Sequence, residues 1–172
     1  MNRRISVAIG LAVALSLVLG EVPAGAADPP SGTITPKTPT VEWSGPLEVV
    51  GANLTGQGGA NECPLPAVVS CDVFELTVDV PASGWSATGG VNVSITFTSA
   101  NSDFDLYVYN EAGELVGSST GSFGAPETVI LPRASGVFMV TVSPFFVVND
   151  QYAGTATAFG LAKKKPKKKK AR

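Results

Sequence analysis

Two carboxylates and two phenols alternate with apolar residues over residues 103–109 (DFDLYVY). Successive side chains of a β-strand point to opposite faces, so this segment is predicted to be a strand with one apolar face. The core-facing positions would be Phe104, Leu106 and Val108. The outer, solvent-facing positions would be Asp103, Asp105, Tyr107 and Tyr109. An outer face of this composition indicates a binding site or a calcium-bound sheet edge.

Calcium is the cofactor that Asp103 and Asp105 would bind, because this cation takes oxygen ligands and the chain is rich in carboxylates. A calcium shell holds roughly six to eight oxygens, so backbone carbonyls or neighbouring loops would have to supply more. The side chains available for this are those of Asp72, Asn101 and Asp150. The alternative is an acidic exposed face that only promotes solubility.

Tyr107 and Tyr109 would form a ligand-binding platform for a sugar ring or a peptide. A phenol suits this role because it combines a flat apolar surface with a polar tip. The alternative is that the two rings pack across strands beneath a loop.

The chain contains no histidine, which excludes several classes of enzyme. A Ser-His-Asp or Cys-His nucleophile needs imidazole as its base, and most catalytic zinc sites need imidazole ligands. The carboxylates of Asp103 and Asp105 would lie about 7 Å apart on one strand face, which leaves glycoside hydrolysis formally open. One strand does not place two carboxyl groups on opposite sides of a substrate, so we expect no enzymatic activity.

Residues 1–27 have the pattern of a secretory signal peptide. Two arginines precede an apolar run over residues 5–19, and small residues follow at 24–27. The mature chain is expected to begin at Ala27 or Asp28. The apolar run is short for a spanning helix and no second run is longer, so no transmembrane segment is predicted in the mature chain. We expect a secreted, extracellular or cell-surface protein.

Charge is divided unevenly along the chain. Between residues 28 and 162, Lys37 and Arg133 face 13 acidic residues, which gives this body a net charge of −11. A body this acidic repels nucleic acid and attracts cations. The C-terminal tail over residues 162–172 carries the opposite charge, on Lys163, Lys164, Lys165, Lys167, Lys168, Lys169, Lys170 and Arg172. We expect this Lys-rich tail to be disordered and either to bind an anionic surface, to fold back onto the body, or to remain solvated.

Period-2 alternation with turn signals about every ten residues predicts an all-β fold, an antiparallel jelly-roll-like β-sandwich of about eight strands. The sandwich would occupy residues 41–161 and follow a flexible, largely unpaired Pro-rich leader at 28–40. The apolar segment 137–143 would be a central strand. No window of the mature chain has helical periodicity. The length is that of one domain, which we expect to be a monomer.

Cys63 and Cys71 are the two cysteines of the chain, and a structural disulfide between them is predicted because exported proteins form disulfides readily. It would close a short loop and stabilise the fold by roughly 2.5 kcal/mol. Most of the stability must therefore come from apolar burial.

Three segments of the chain resemble the bacterial pre-peptidase C-terminal (PPC-like) domain: residues 102–113 (SDFDLYVYNEAG), 135–145 (SGVFMVTVSPF) and 152–159 (YAGTATAF). The resemblance spans residues 71–159. It implies a non-catalytic jelly-roll sandwich of the kind that accompanies secreted hydrolases, and similar modules in collagenases bind calcium and matrix ligands. It also implies that Asp103 and Asp105 are metal or structural positions. No peptidase precedes the module in this sequence, so an accessory role in cis is not expected.

Together these observations predict a secreted, non-enzymatic module that binds an extracellular polymer or surface. Its partner would be an anionic cell-surface or wall polymer, with the Lys-rich tail as an electrostatic anchor and calcium as a stabilising ion. No specific nucleic acid is expected as a partner. The alternative is a structural or secretion-companion module whose ligand is an extracellular protein.

Overall fold

The computed structural model describes residues 27–52 and 71–162, with no description of the side chains at 49–52. This part of the chain forms ten β-strands and one short 3₁₀ turn, Ala82–Gly84. The strands, numbered in chain order, are β1 (Ser31–Ile34), β2 (Thr40–Ser44), β3 (Glu48–Ala52), β4 (Asp72–Val78), β5 (Trp85–Phe97), β6 (Asp103–Asn110), β7 (Leu115–Ser119), β8 (Glu127–Pro132), β9 (Gly136–Asp150) and β10 (Tyr152–Leu161).

The strands form two sheets that pack face to face. The larger sheet has the order β1-β4-β9-β6-β7, and β3 also pairs with β9; the smaller sheet has the order β2-β10-β5-β8. All pairings are antiparallel except that of β1 with β4, which is parallel. The predicted all-β sandwich is confirmed, with ten described strands where about eight were expected.

The core forms between the apolar faces that the alternation predicts. Fully buried side chains come from β4, β5 and β6, and include Phe74, Leu76, Val91, Val93, Ile95, Leu106 and Val108. Trp43 of β2 stacks on Phe74 of β4 with ring centroids 4.1 Å apart, so this pair joins the two sheets. Offset or parallel aromatic contacts add about 1 kcal/mol to the burial of their area.

Strand β9 is longer than the segment 137–143 that the sequence predicts as a central strand. It spans 15 residues and pairs with β4 on one side and β6 on the other. Asp103 pairs with Phe146 and Phe104 with Pro144, so Phe145 is an extra residue at a β-bulge. A bulge lets a strand bend and changes the direction of its side chains. The strand therefore continues past Pro144 and pairs with β3 as well.

The expectation that residues 28–40 form an unpaired leader is wrong. Asp28 exchanges two backbone hydrogen bonds with Ser44, of 2.9 and 3.0 Å. Residues 31–34 form β1, which pairs with β4, and Ile34 is fully buried. The prolines precede and follow this strand, so they do not interrupt its backbone pairing.

Several predicted features lie outside the described residues: the signal peptide up to residue 26, Cys63, and the Lys-rich tail from Lys163 onward. Cys71 precedes β4 and is not a free thiol. Because Cys63 is not described, the disulfide stays a prediction. No helix within the described ranges is long and apolar enough to span a membrane.

Replacing Gly154 by alanine should destabilise the sandwich. Gly154 of β10 pairs with Trp43, and an added Cβ would overlap the indole ring that stacks on Phe74. Overpacking of this kind costs about 1–3 kcal/mol, which urea unfolding would measure. The matched control is Thr155→Ser at the next, half-buried position, where a loss below about 0.5 kcal/mol is expected. Equal losses for the two variants would show that Gly154 is not needed for the close approach of Trp43.

Candidate functional site

Strand β6 places the predicted site residues between β9 and β7. Its core-facing side chains are those predicted, with Phe104, Leu106 and Val108 at most 2% exposed. On the other face, Asp105 pairs with Ser143 of β9, and Asp103 pairs with Phe146. The two carboxylates therefore lie on the outer face of the larger sheet, near the bulge of β9.

The expectation that this outer face is solvent-exposed is wrong. Asp103 and Asp105 are 4% and 3% exposed, and Tyr107 and Tyr109 are 3% and 5% exposed. The alternation of polar and apolar residues correctly predicts which side chains share a face. It does not reveal whether other parts of the protein cover that face. The side chains of β6 are therefore buried on both sides of the strand, and the charges of its two carboxylates are poorly shielded by water.

Tyr107 and Tyr109 pack into a small cluster with Cys71 and Met139. The Tyr107 hydroxyl donates a hydrogen bond of 3.3 Å to Oδ2 of Asp105. This arrangement agrees with the packing alternative rather than with an open aromatic platform. Ligand binding by the two phenols stays a prediction, and their burial argues against it.

Asp103 and Asp105 line a cavity of about 150 Å³, which we name the acidic cavity. Its other lining residues are Thr120, Gly121 and Phe145. Such a volume has room for several water molecules or for the polar end of one long side chain. Oδ1 of Asp103 is buried and has no hydrogen-bond partner among the described residues. A buried carboxylate oxygen without a partner costs free energy in the isolated protein, so a donor or cation from a ligand would be favoured there.

Glu127 is a third buried carboxylate beside this cavity, and it is not among the site residues predicted from the sequence. It begins β8 and is 1% exposed. The Ser119 hydroxyl donates to Oε2, and the Gly121 backbone N–H donates to Oε1 at 2.8 Å. The alternation did contain a signal, because Glu127 is in phase with the buried Val129 and Leu131. Both of its oxygens are satisfied, so Glu127 fixes the loop that forms the cavity wall.

Burial and neighbouring negative charges raise the pKa values of the two aspartates. Burial, and then the negative charge of Glu127, raises the pKa of Asp103. Burial also raises the pKa of Asp105 to about 6, and the charge of Asp103 adds to this, while the hydrogen bond from Tyr107 opposes it. Near neutral pH the cavity thus holds carboxylates whose ionised forms would be stabilised by any cation that enters.

No cationic side chain of the described part of the chain lies near the acidic cavity. Lys37 and Arg133 are its only Lys and Arg residues. Arg133 follows the far end of β8, about 20 Å along that strand from Glu127. Lys37 lies three residues after Ile34, which pairs with Val78 at the end of β4. Val78 in turn pairs with Gly136, the first residue of β9. The cavity lies near the other end of β9, so its charge is not neutralised from within this region.

Three exposed phenylalanines lie at or next to residues of the cavity, and we name them the Phe cluster: Phe123, Phe145 and Phe146. They are 52%, 37% and 44% exposed, respectively. The rings of Phe123 and Phe146 are tilted against each other with centroids 5.9 Å apart, and Phe145 lines the cavity itself. Exposed aromatic rings beside a buried polar group are common at binding surfaces.

The described residues contain no group of three or more His, Cys, Asp or Glu side chains that could hold a metal ion. Two of the side chains expected to help Asp103 and Asp105, those of Asp72 and Asp150, have other partners. Asp72 accepts hydrogen bonds from Tyr152 and Val73, and Asp150 accepts from Thr98, Ser99 and Gln151. Two aspartates and the Thr120 hydroxyl fall short of the roughly six oxygens that calcium needs, so calcium binding stays a prediction.

No protein-family model and no curated protein matches the chain, so the PPC-like resemblance stays a prediction. Among solved structures, the chain is similar to PliG of Aeromonas hydrophila, a periplasmic lysozyme inhibitor of g-type lysozyme. The sequence identity is 11% and the TM-score 0.36, and the match covers 75% of this chain and 96% of that chain. A likeness this distant carries no argument about function.

Replacing Asp105 by asparagine should remove a pH dependence of stability. The folded pKa of about 6 lies above the ordinary 3.8, so the folded state holds the proton more tightly than the unfolded state. The stabilisation is present below about pH 4 and is lost as pH rises through about 6. Urea unfolding should therefore show Asp105→Asn more stable than the unmodified chain at pH 7, by up to about 3 kcal/mol, with a smaller difference at pH 4.

The control for this prediction is Glu75→Gln, which changes an exposed carboxylate on β4. Its effect on stability should be small and nearly constant over the same range of pH. A difference between Asp105→Asn and the unmodified chain that does not change with pH would contradict the assigned shift.

Proposed function

We propose that the chain is a secreted, non-enzymatic binding module whose binding site is the acidic cavity with the Phe cluster. Its ligand is an extracellular protein that inserts a Lys or Arg side chain beside apolar groups. The observation that carries this proposal is the buried, unpartnered Oδ1 of Asp103 in a cavity lined by two carboxylates.

The chemistry of the cavity supports a basic side chain as the inserted group. A Lys or Arg side chain has an apolar stem and a cationic end, which match the exposed phenylalanine rings and the buried aspartates. Cations also lie favourably over aromatic faces, with a contribution of about 1 kcal/mol at partly exposed sites. The cavity of about 150 Å³ accepts one such group and not a folded segment.

A protein ligand is favoured over a polysaccharide by the distribution of aromatic residues. The tyrosines predicted as a platform for a sugar ring or a peptide are buried, whereas the exposed rings of the Phe cluster have no hydroxyl groups to bond to a sugar. A cluster of phenylalanines with carboxylates at its centre offers apolar contact and charge, as protein interfaces do. The absence of histidine from the whole chain supports the non-enzymatic part of the proposal.

Titration with N-acetyl-lysine methylamide, followed by NMR of ¹⁵N-labelled protein, tests the cavity. We expect weak binding, with shifts confined to residues 102–105, 120–121 and 145–146, and a loss of about tenfold in affinity for Asp103→Asn. Binding should strengthen from pH 5 to pH 7 as Asp105 ionises. The uncharged analogue N-acetyl-norleucine methylamide is the matched probe, and Asp79→Asn, an exposed carboxylate, is the control variant.

Two results would refute this site: equal shifts with the uncharged analogue, or an unchanged affinity in Asp103→Asn. Phe146→Ala separates the two parts of the site. It should weaken binding of a peptide that has leucine next to lysine more than it weakens binding of the single amino acid, because only the peptide reaches the Phe cluster.

The Lys-rich tail supports a second function, attachment to an anionic surface. It carries eight cations next to a body with a net charge of −11. Each Lys near an anionic membrane contributes up to about 1 kcal/mol, and salt screens this attraction.

Sedimentation with phospholipid vesicles tests the tail. The mature chain should bind vesicles containing phosphatidylglycerol at about 50 mM salt and dissociate at about 500 mM. A chain ending at Ala162 should not bind, and vesicles of pure phosphatidylcholine are the control. If the shortened chain binds equally well, the tail is not the anchor.

A further inference from the structure

Asp72 is a buried carboxylate that lies close to the backbone nitrogen of Ala27. It begins β4 and is 5% exposed. The Val73 backbone N–H donates to Oδ1 at 2.8 Å, and the Tyr152 hydroxyl donates to Oδ2. The backbone N–H of Ala27 donates a further hydrogen bond to the same carboxylate.

These three hydrogen bonds do not offset the cost of burying Asp72. Burial raises its pKa above the ordinary value, and the nearby charge of Glu48 raises it further. Lys37 and Arg133, the cationic side chains of the described ranges, do not neutralise it. Lys37 lies beyond the far end of β4, about 20 Å along the strand, and Arg133 precedes Gly136, the partner of Val78 at that same end. A buried, ionised carboxylate normally has a counter-ion, and no Lys or Arg side chain of the described residues is placed to serve as one for Asp72.

Burial and backbone hydrogen bonds hold Ala27 in place. Ala27 is 3% exposed and belongs to the core cluster, and Asp28 bonds to Ser44 through both its N–H and its carbonyl group. In the sequence, Ala27 directly follows Ala24, Gly25 and Ala26, which have the small-x-small spacing that signal peptidases recognise. Cleavage after Ala26 would therefore form a new amino terminus at the nitrogen that already faces Asp72.

We propose that the α-ammonium group of Ala27, formed when the signal peptide is removed after Ala26, is the counter-ion of Asp72. Cleavage adds water across the Ala26–Ala27 peptide bond: the carboxylate leaves with the signal peptide, and the Ala27 nitrogen becomes an amine. An α-amino group has an ordinary pKa of about 7.7–8.0, so this amine takes up a proton at neutral pH. Removal of the signal peptide thus completes the fold by converting one hydrogen bond into a buried ion pair.

This proposal is independent of the acidic cavity. The groups around the new charge are the carboxylates of Asp72 and Glu48 and the phenol of Tyr152. The two carboxylates stabilise the ammonium form, and Tyr152 remains neutral because burial and the charge of Asp72 raise its pKa. Asp72 in turn gains a hydrogen bond to a charged donor, which is stronger than one to a neutral amide.

A double-mutant cycle tests the ion pair in the mature chain that begins at Ala27. The amino terminus is either free or acetylated, and each form is made with Asp72 or with Asp72→Asn. At pH 6.5 acetylation should lower the Tm by about 5 °C when Asp72 is present and by less than about 1 °C when it is replaced. Asp79→Asn, an exposed carboxylate just after β4, should leave the effect of acetylation unchanged.

An acetylation effect that is absent, or that is equal with and without the Asp72→Asn substitution, would overturn the proposal. Should Asp72→Asn fail to fold, the pKa of the α-amine in the otherwise unmodified chain decides the question. NMR titration should place it above the ordinary range, and a value within or below that range would count against the pair. Mass spectrometry of the exported protein should find Ala27 as its first residue, and a chain that begins at Asp28 would contradict the assignment.

Discussion

Backbone pairing along β9 is the constraint on which the larger sheet and the acidic cavity both depend. This strand pairs with β4, β6 and β3, so it holds together strands that are far apart in the sequence. Because of the bulge at Phe145, two exposed residues instead of one separate the buried residues Pro144 and Val147. The extra residue lines the acidic cavity, and the next one contacts Phe123. The change of register therefore creates the cavity wall and one side of the Phe cluster.

The buried carboxylates of this protein differ in how well their charges are satisfied. Burial alone would raise the pKa of Asp150, but hydrogen bonds from Ser99, Thr98 and Gln151 lower it below its ordinary value. These bonds fix the turn between β5 and β6 to the end of β9, which is a structural role. Asp103 is the opposite case, since Oδ1 has no partner in the described structure. Local donors thus satisfy the carboxylate that fixes the turn, whereas one buried oxygen of Asp103 has no such donor among the described residues.

The sequence predicts the sandwich well, because period-2 alternation identifies the inner faces of β4, β5 and β6 directly. The sequence does not predict β1, because the prolines on both sides of this short strand indicate an unpaired segment. Ile34 is its one fully buried side chain and is too weak a signal of a strand. Alternation also places Tyr107 on the outer face of β6, but only the tertiary structure shows that this face is covered. The sequence also predicts Asp103 and Asp105 as site residues, and both line the acidic cavity. Glu127 was recognisable only as a charge in phase with apolar neighbours, and the Phe cluster forms from segments far apart in the sequence.

The order of the strands in the smaller sheet has a consequence for how this chain folds. β10 lies between β2 and β5, and Thr40 pairs with Thr157. The smaller sheet therefore pairs strands from near the two ends of the described chain. Closing so long a loop is entropically costly, and topologies of this kind fold slowly. During synthesis, Trp43 has no Gly154 to pack against until β10 has emerged. The smaller sheet can therefore form only after nearly the whole described chain has been synthesised.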